Sequence, residues 1–410
     1  MKKIVGTIAA VAVAAGVAFA DVGIGSWGRA IFAPVASLDG ETVQTFDTTS
    51  WYKWTNVPRV GITVHAESEN VGFNIDMNAD QNGMGAVGIH DTAQFWAKPW
   101  SWLEVKIGKT LDDTGRGNLC YGLFNWLRLG YGEAGEDLTF NRFGGGIGAI
   151  VKVTPVKGLW AIASIMPGTY TTDNVRDGDF SSVPKAETVF GNQSQYGVGY
   201  EIEGIGHIRA QYRGGSNAKD KDGNTILNSE IQAAFDLTAV EGLYVTVGAK
   251  IPLGLAAFGY IDNDPTKPAV SNQVTIAAGA DFKLDVVTLH AIVEGKIPNT
   301  VDVGNNMTLT KGGKIAVGVG ADFDFGNGIG LAADIRFQSA QDTTGKAKVG
   351  DTTYTSTRRD SKGSLDFLVG LQKGLTNGSI GIGFEGSVLD FTGSNSKFAW
   401  AVPVVIGASF

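Results

Sequence analysis

The side chains that could do acid–base, nucleophilic or metal chemistry are few and scattered along this chain. The histidines are His65, His90, His207 and His290, and Cys120 is the single cysteine. They do not stand at the short spacings from which metal ligands are usually drawn, and no hydrolase or zinc-protease motif is present. The sequence therefore predicts no catalytic residue, no metal site and no cofactor, and indicates a protein that is not an enzyme.

Charged side chains follow a different pattern, because they alternate with apolar residues along many short segments. In VTLHAIVEGKI, residues 287–297, almost every second residue is apolar. This is the period of a β-strand with one apolar and one polar face. About 18 such segments follow one another, with an uncertainty of about two, and tight turns alternate with longer polar connections. The sequence predicts an all-β transmembrane antiparallel barrel of roughly 16 to 20 strands.

The polar faces of these segments carry charges of both signs, too many to be buried in a dry core. A barrel of roughly 16 to 18 strands leaves an aqueous channel in its centre. We therefore expect these charges to line a water-filled lumen. The basic residues predicted to line it are Arg59, Lys106, Arg209, Arg213, Lys250, Lys296 and Arg336.

The amino-terminal residues indicate export from the cytoplasm. Lys2 and Lys3 precede an apolar run that ends in Ala18-Phe19-Ala20. This is the pattern of a cleaved secretory signal peptide. The prediction is a signal peptide at 1–20 and one barrel domain at 21–410. An exported chain with a net charge of −8 is a poor candidate for binding nucleic acid.

The chain ends in FAWAVPVVIGASF, residues 398–410, which is again alternating. This ending resembles the closing strand of bacterial outer-membrane β-barrel proteins, which finish on an aromatic residue with apolar residues two, four, six and eight positions earlier. The matching residues are Phe410, Ala408, Ile406, Val404 and Val402, although an aromatic residue is common at the place of Ala408. The resemblance implies an outer-membrane location among lipids. It also implies insertion by the barrel-assembly machinery, with Phe410, Ala408 and Ile406 as its signal.

The longest interruption of the strand pattern is the segment 111–143, which follows the fifth predicted strand. In this layout the chain resembles general porins, in which the third loop folds inward and narrows the pore. The resemblance implies a pore-constricting loop and allows a homotrimer. An extra hairpin in this segment is the alternative. The candidate constriction residues are Asp112, Asp113, Arg116, Glu133, Glu136 and Asp137. The stretch GIGSWGRAIFAPV, residues 23–35, also resembles the major porin-like outer-membrane proteins of spirochaetes.

These patterns predict a porin for passive diffusion of small hydrophilic solutes and ions. Acidic residues in the constriction loop make weak cation selectivity the expected preference. A channel selective for a sugar or another nutrient is an alternative that would need inward-facing aromatic residues, of which only Tyr244 is expected. A surface adhesin or structural barrel is a second alternative. Six tryptophans near strand ends are expected to form interfacial girdles: Trp27, Trp96, Trp100, Trp102, Trp160 and Trp400.

Overall fold

The computed structural model describes most of the chain beyond residue 20. The described ranges are 21–38, 41–45, 59–79, 88–116, 142–166, 189–190, 193–214, 218–219, 225–226, 228–254, 259–260, 268–269, 273–304 and 306–410. The proposed signal peptide lies outside them. Among the described residues, no helix is long and apolar enough to cross a membrane.

The described residues form β-strands connected by turns and loops. In chain order the first strands are β1 Asp21–Leu38, β2 Glu41–Thr45, β3 Arg59–Glu67, β4 Val71–Ala79, β5 Gly88–Trp100, β6 Leu103–Asp112, β7 Phe143–Val156, β8 Leu159–Ile165 and β9 Gln195–Ile202. The middle strands are β10 Gly206–Gly214, β11 Ala218–Lys219, β12 Thr225–Ile226, β13 Asn228–Leu237, β14 Leu243–Gly254, β15 Gly259–Tyr260, β16 Pro268–Ala269, β17 Thr275–Leu284 and β18 Val287–Lys296. The last are β19 Asn299–Gly304, β20 Met307–Lys311, β21 Lys314–Asp324, β22 Ile329–Gln338, β23 Gln341–Val349, β24 Thr352–Ser361, β25 Ser364–Leu375, β26 Gly378–Leu389 and β27 Lys397–Ser409.

The main sheet closes on itself as a barrel. It holds 19 strands, of which β2 is paired with β1, and the remaining 18 form a ring of antiparallel neighbours. The ring closes where β1 pairs with β27 on one side and with β3 on the other. Backbone hydrogen bonds of 2.8 and 2.7 Å join Ser26 to Phe410 in both directions. The predicted all-β barrel of about 18 strands is therefore confirmed.

The alternation in the sequence separates an apolar outer face from a polar inner face. Ile24, Phe95, Ile107 and Ile147 point outward with 67%, 69%, 61% and 67% of their surface exposed. The outer face of a membrane-spanning barrel contacts the hydrocarbon chains of the lipid. A barrel without such an apolar band could therefore not lie in a bilayer. In the last strand, the alternate residues that include Ile406 lie on this outer face, and so does the terminal Phe410.

Turns at one end of the barrel are tight, and connections at the other end are long. The tight turns are 68–70, 101–102, 157–158, 203–205, 238–242, 285–286, 325–328 and 376–377. The predicted alternation of connection lengths is therefore present in the described chain. Short periplasmic turns and long extracellular loops are the habit of bacterial outer-membrane barrels.

Two of the long connections form a second sheet that the polar composition did not predict. Strands β19, β20, β23 and β24 form a four-stranded antiparallel sheet outside the ring. Gln341 Nε2 donates to Gln273 Oε1 at 2.6 Å and to the carbonyl of Gly312 at 2.9 Å. Both glutamines are buried, so these bonds fix the second sheet to the end of the barrel.

Three of the six tryptophans face the lumen, and the girdle prediction is wrong for them. Trp27, Trp96 and Trp160 each lie directly opposite a glycine of the neighbouring strand, in pairs with Gly61, Gly72 and Gly199. A glycine leaves room for an indole ring to lie on the inner wall. Trp100 and Trp102, by contrast, flank a tight turn and stack with their ring centroids 5.6 Å apart.

Candidate pore constriction

The inner wall holds much of its charge in ion pairs rather than as isolated ions. The side chain of Arg209 is fully buried and contacts both carboxylate oxygens of Asp236, with 3.0 Å from Nη2 to Oδ1. Thr246 Oγ1 donates to the same Oδ1 at 2.7 Å. The three residues come from β10, β13 and β14. Asp236 stands directly opposite Thr246, and Arg209 reaches it diagonally, from two residues beyond its register partner His207. Pairing and hydrogen bonding compensate the loss of hydration that such burial imposes.

The other basic residues predicted to line the lumen also lie on the inner parity of their strands. Lys296 Nζ lies 3.8 Å from Glu294 Oε1. Arg213 stands opposite Glu230 in the register of β10 and β13. The remaining four are Lys106 in β6, Lys250 in β14, the buried Arg336 in β22, and Arg59, which begins β3 and whose side chain lies outside the described part.

At the carboxyl end of β6, the predicted constriction begins with a buried ion pair. Lys106 Nζ lies 2.6 Å from Asp112 Oδ2 and 3.3 Å from Glu104 Oε1. Only 3% of the Asp112 side chain is exposed. Its Oδ1 accepts the backbone N–H of Thr114 at 2.8 Å, which starts the turn away from the strand. Asp112 therefore anchors the start of the long segment.

The residues that follow fold over the inner wall of β7 and β8. Lys152, which faces the lumen, donates from Nζ to Thr114 Oγ1 at 2.7 Å. Gly115 is buried, and a Cβ placed on it would lie 2.9 Å from Phe143 Cε2 and 3.4 Å from Trp160 Cη2. Phe143 and Trp160 belong to an inward-facing apolar cluster with two isoleucines of the same strands. The described start of the segment thus lies against the inner wall, and a pore-constricting loop at 111–143 stays a prediction.

The alternative of an extra hairpin in the ring does not hold. β6 pairs directly with β7 from Leu103 opposite Val153 to Asp112 opposite Phe143. The segment between these two strands therefore adds no strand to the 18-stranded ring.

Asp113 and Arg142 form an ion pair that joins the two described ends of the segment 111–143. Arg142 Nε lies 2.9 Å from Asp113 Oδ1, and its Nη1 lies 3.0 Å from Asp91 Oδ2. Arg116 lies outside the strands, and burial together with the nearby Arg142 guanidinium lowers its pKa, while Asp113 and Asp91 oppose that shift. An arginine keeps its charge under such a perturbation. The two described ends of the segment therefore hold charges of both signs in close contact.

The structure describes three of the six predicted constriction residues. It brings Asp112, Asp113 and Arg116 together, whereas Glu133, Glu136 and Asp137 lie outside the described residues. Asp91 and Arg142, which form ion pairs beside the described candidates, were not predicted from the sequence. A signal was present for Arg142, which stands one residue before a strand of the ring.

Comparison with models of known families found no match, and comparison with curated proteins found no relative. Among solved structures, the fold is similar to the outer membrane channel DcaP of Acinetobacter baumannii, with 12% identity, a TM-score of 0.49, and coverage of 95% of this chain and 97% of that one. OpdL of Pseudomonas aeruginosa has 11% identity and a TM-score of 0.49, and the match covers 95% of this chain and 99% of that one. An anion-selective porin from Comamonas acidovorans has 11% identity and a TM-score of 0.48, and the match covers 95% of this chain and 100% of that one. The prediction of an outer-membrane, porin-type barrel is confirmed by the closed ring and its apolar outer face.

Proposed function

We propose that the chain forms a water-filled channel for passive diffusion of small hydrophilic solutes and ions. The observation that carries the proposal is a closed ring of 18 strands with charged residues on its inner face. A ring of this size is wider than its own side chains can fill. Paired charges along the wall give solutes a polar surface without requiring any turnover chemistry.

Planar-bilayer recording of the purified protein tests this proposal. A porin gives steady stepwise conductance that scales with salt concentration. A barrel that serves as an adhesin or as a structural element and is plugged inside gives none. Absence of conductance from protein that is folded, as judged by heat-modifiable migration, would reject the channel and favour the second class.

We keep weak cation selectivity as part of the proposal. The chain carries a net charge of −8, and Asp113 is the more exposed of the two described constriction carboxylates, with 52% of its side chain accessible. Salt screens such fields over about 10 Å at 0.1 M, so the preference should fade as salt rises. Asp113→Asn should move the reversal potential in a salt gradient toward anions, while Asp112→Asn should move it less because Lys106 neutralises Asp112. A native pore that prefers anions would contradict this part.

A channel selective for a sugar or another nutrient is a second candidate, favoured by the inward tryptophans. Trp27 and Trp96 face the lumen with part of their surface exposed, and aromatic faces are suited to stacking on sugar rings. Swelling of proteoliposomes in isosmotic sugars separates the two candidates. Rates that follow solute size alone favour the general pore, and a sugar that enters faster than its size predicts favours the selective one.

A homotrimer and insertion by the barrel-assembly machinery complete the proposal. Phe410 ends the strand that closes the ring, which suits a recognition signal at this position. Chemical cross-linking in native membranes tests the oligomeric state, since a trimer gives a ladder that ends at three subunits.

A further inference from the structure

Two carboxylates and one imidazole converge on the inner wall of β4 and β5. His90 Nδ1 lies 3.0 Å from Asp76 Oδ2 and 3.3 Å from Asp91 Oδ1. The three donor atoms lie within 4.8 Å of one another. Zinc binds imidazole nitrogen and carboxylate oxygen at about 2.0–2.2 Å, so two ligands of one ion stand roughly 3 to 3.6 Å apart. These side chains therefore have the donor types and spacing of a metal site.

A β-bulge makes this convergence possible. Consecutive residues of a regular strand face opposite sides, so His90 and Asp91 would not normally reach the same point. Here Ile75 of β4 pairs with Ala93 of β5, and Met77 pairs with Ile89. The single residue Asp76 therefore lies opposite three residues of β5, 90–92. A bulge of this kind re-aims side chains and often lies beside functional sites. It turns both His90 and Asp91 toward Asp76.

Neighbouring groups hold the three side chains in this orientation. Arg142 Nη1 contacts Oδ2 of Asp91 at 3.0 Å, which leaves Oδ1 directed at His90. Lys109 Nζ donates to the backbone carbonyl of His90. Oδ1 of Asp76 is buried and has no hydrogen-bond partner among the described residues. Metal ligands are commonly fixed by such outer partners, and a buried carboxylate oxygen without a donor gains from a cation or its water.

We propose that Asp76, His90 and Asp91 form a lumenal binding site for a divalent transition-metal ion of the Zn²⁺ class. Imidazole favours zinc, nickel and cobalt over calcium and magnesium, whose sites are built from oxygen ligands. Two carboxylates balance the charge of the ion, and the Arg142 guanidinium beside Asp91 moderates the affinity. The remaining coordination positions are left to water, because the site opens to the lumen.

Metal binding to the purified, folded barrel in detergent tests the site. Isothermal titration with Zn²⁺ should give one ion per chain, and Co²⁺ should produce a visible absorption band that Zn²⁺ removes. His90→Gln and Asp76→Asn should each weaken Zn²⁺ binding at least about tenfold, since loss of an outer partner alone costs roughly 10- to 100-fold. The readout is binding, so its result does not depend on whether the barrel conducts.

His65→Gln is the matched control. His65 lies on the inner wall of the adjacent strand β3, opposite Asn74, and contacts no carboxylate within the described chain. Its replacement should leave Zn²⁺ affinity unchanged. Heat-modifiable migration confirms folding of each variant, and the isosteric Asp76→Asn carries the test should His90→Gln fail to fold. No Zn²⁺ binding by the native protein, or equal weakening by His65→Gln, would overturn the site.

Discussion

The buried Arg209–Asp236 pair allows a quantitative test of how the inner wall is built. In Arg209→Met the carboxylate of Asp236 loses its two contacts with the guanidinium and keeps the hydrogen bond from Thr246. The carboxylate is 6% exposed, so water reaches it poorly in the native packing. A buried charge without its partner is the expected result.

The magnitude follows from that burial. Removing one partner of a buried ion pair destabilises a protein by about 3–5 kcal/mol. The lumen supplies some water to the uncovered carboxylate, so we expect a loss near the lower limit, about 3 kcal/mol. That loss raises the unfolding equilibrium constant by about 100-fold, because each 1.4 kcal/mol is a factor of ten.

Reversible urea unfolding in lipid vesicles, followed by tryptophan fluorescence, measures the loss. Lys157→Met is the control, because Lys157 and Glu203 form a pair of 3.0 Å in which both side chains are 85% exposed. Such surface pairs contribute less than about 1 kcal/mol. The double variant Arg209→Met/Asp236→Leu should recover part of the stability. A loss in Arg209→Met no larger than in the control would refute a packed wall and indicate hydrated charges instead.

Three further outcomes are expected. Deleting Phe410 removes its two backbone bonds to β1 and should leave the protein degraded in the periplasm; normal outer-membrane levels would contradict this. An epitope tag at Thr343 should be labelled on intact cells and a tag at Asn327 should not, and the reverse result would invert the orientation. Gly199→Val should displace the Trp160 ring, since even a Cβ would lie 2.3 Å from it, and should lower stability in urea far more than Gly295→Val, whose Cβ meets open space on an ordinary strand backbone; equal losses would contradict the role of the contact.

The number of strands, and which side chains point toward lipid or toward the lumen, could be predicted from the sequence because both depend on local alternation. A period of two separates faces wherever one side meets lipid, and the outward Ile107 beside the inward Lys106 shows that rule at work. The place of the long segment between two neighbouring strands of the ring also followed from the sequence, because it depends on segment length alone. The contacts within it did not, because Arg142 reaches Asp91 across 51 residues and no spacing along the chain encodes that contact.

The proposed metal site likewise depends on contacts between residues that are distant along the sequence. Spacing along the sequence predicts no metal site at any of the four histidines. In a barrel, however, the ligands of one site come from neighbouring strands, and Asp76 lies 14 residues from His90. A bulge then adds Asp91, and a bulge shifts the local register that a strict period of two assumes.

The inward tryptophans connect the unusual composition of the chain to its proposed function. A large side chain on the inner wall can either project into the channel or lie flat against the wall. Lying flat requires that the residue opposite has no side chain, and Trp27, Trp96 and Trp160 all face glycines. Part of the high glycine content, 58 residues, therefore serves to seat aromatic rings. The rings bury apolar surface along the wall, which suits the proposed channel because the rings do not project into its centre.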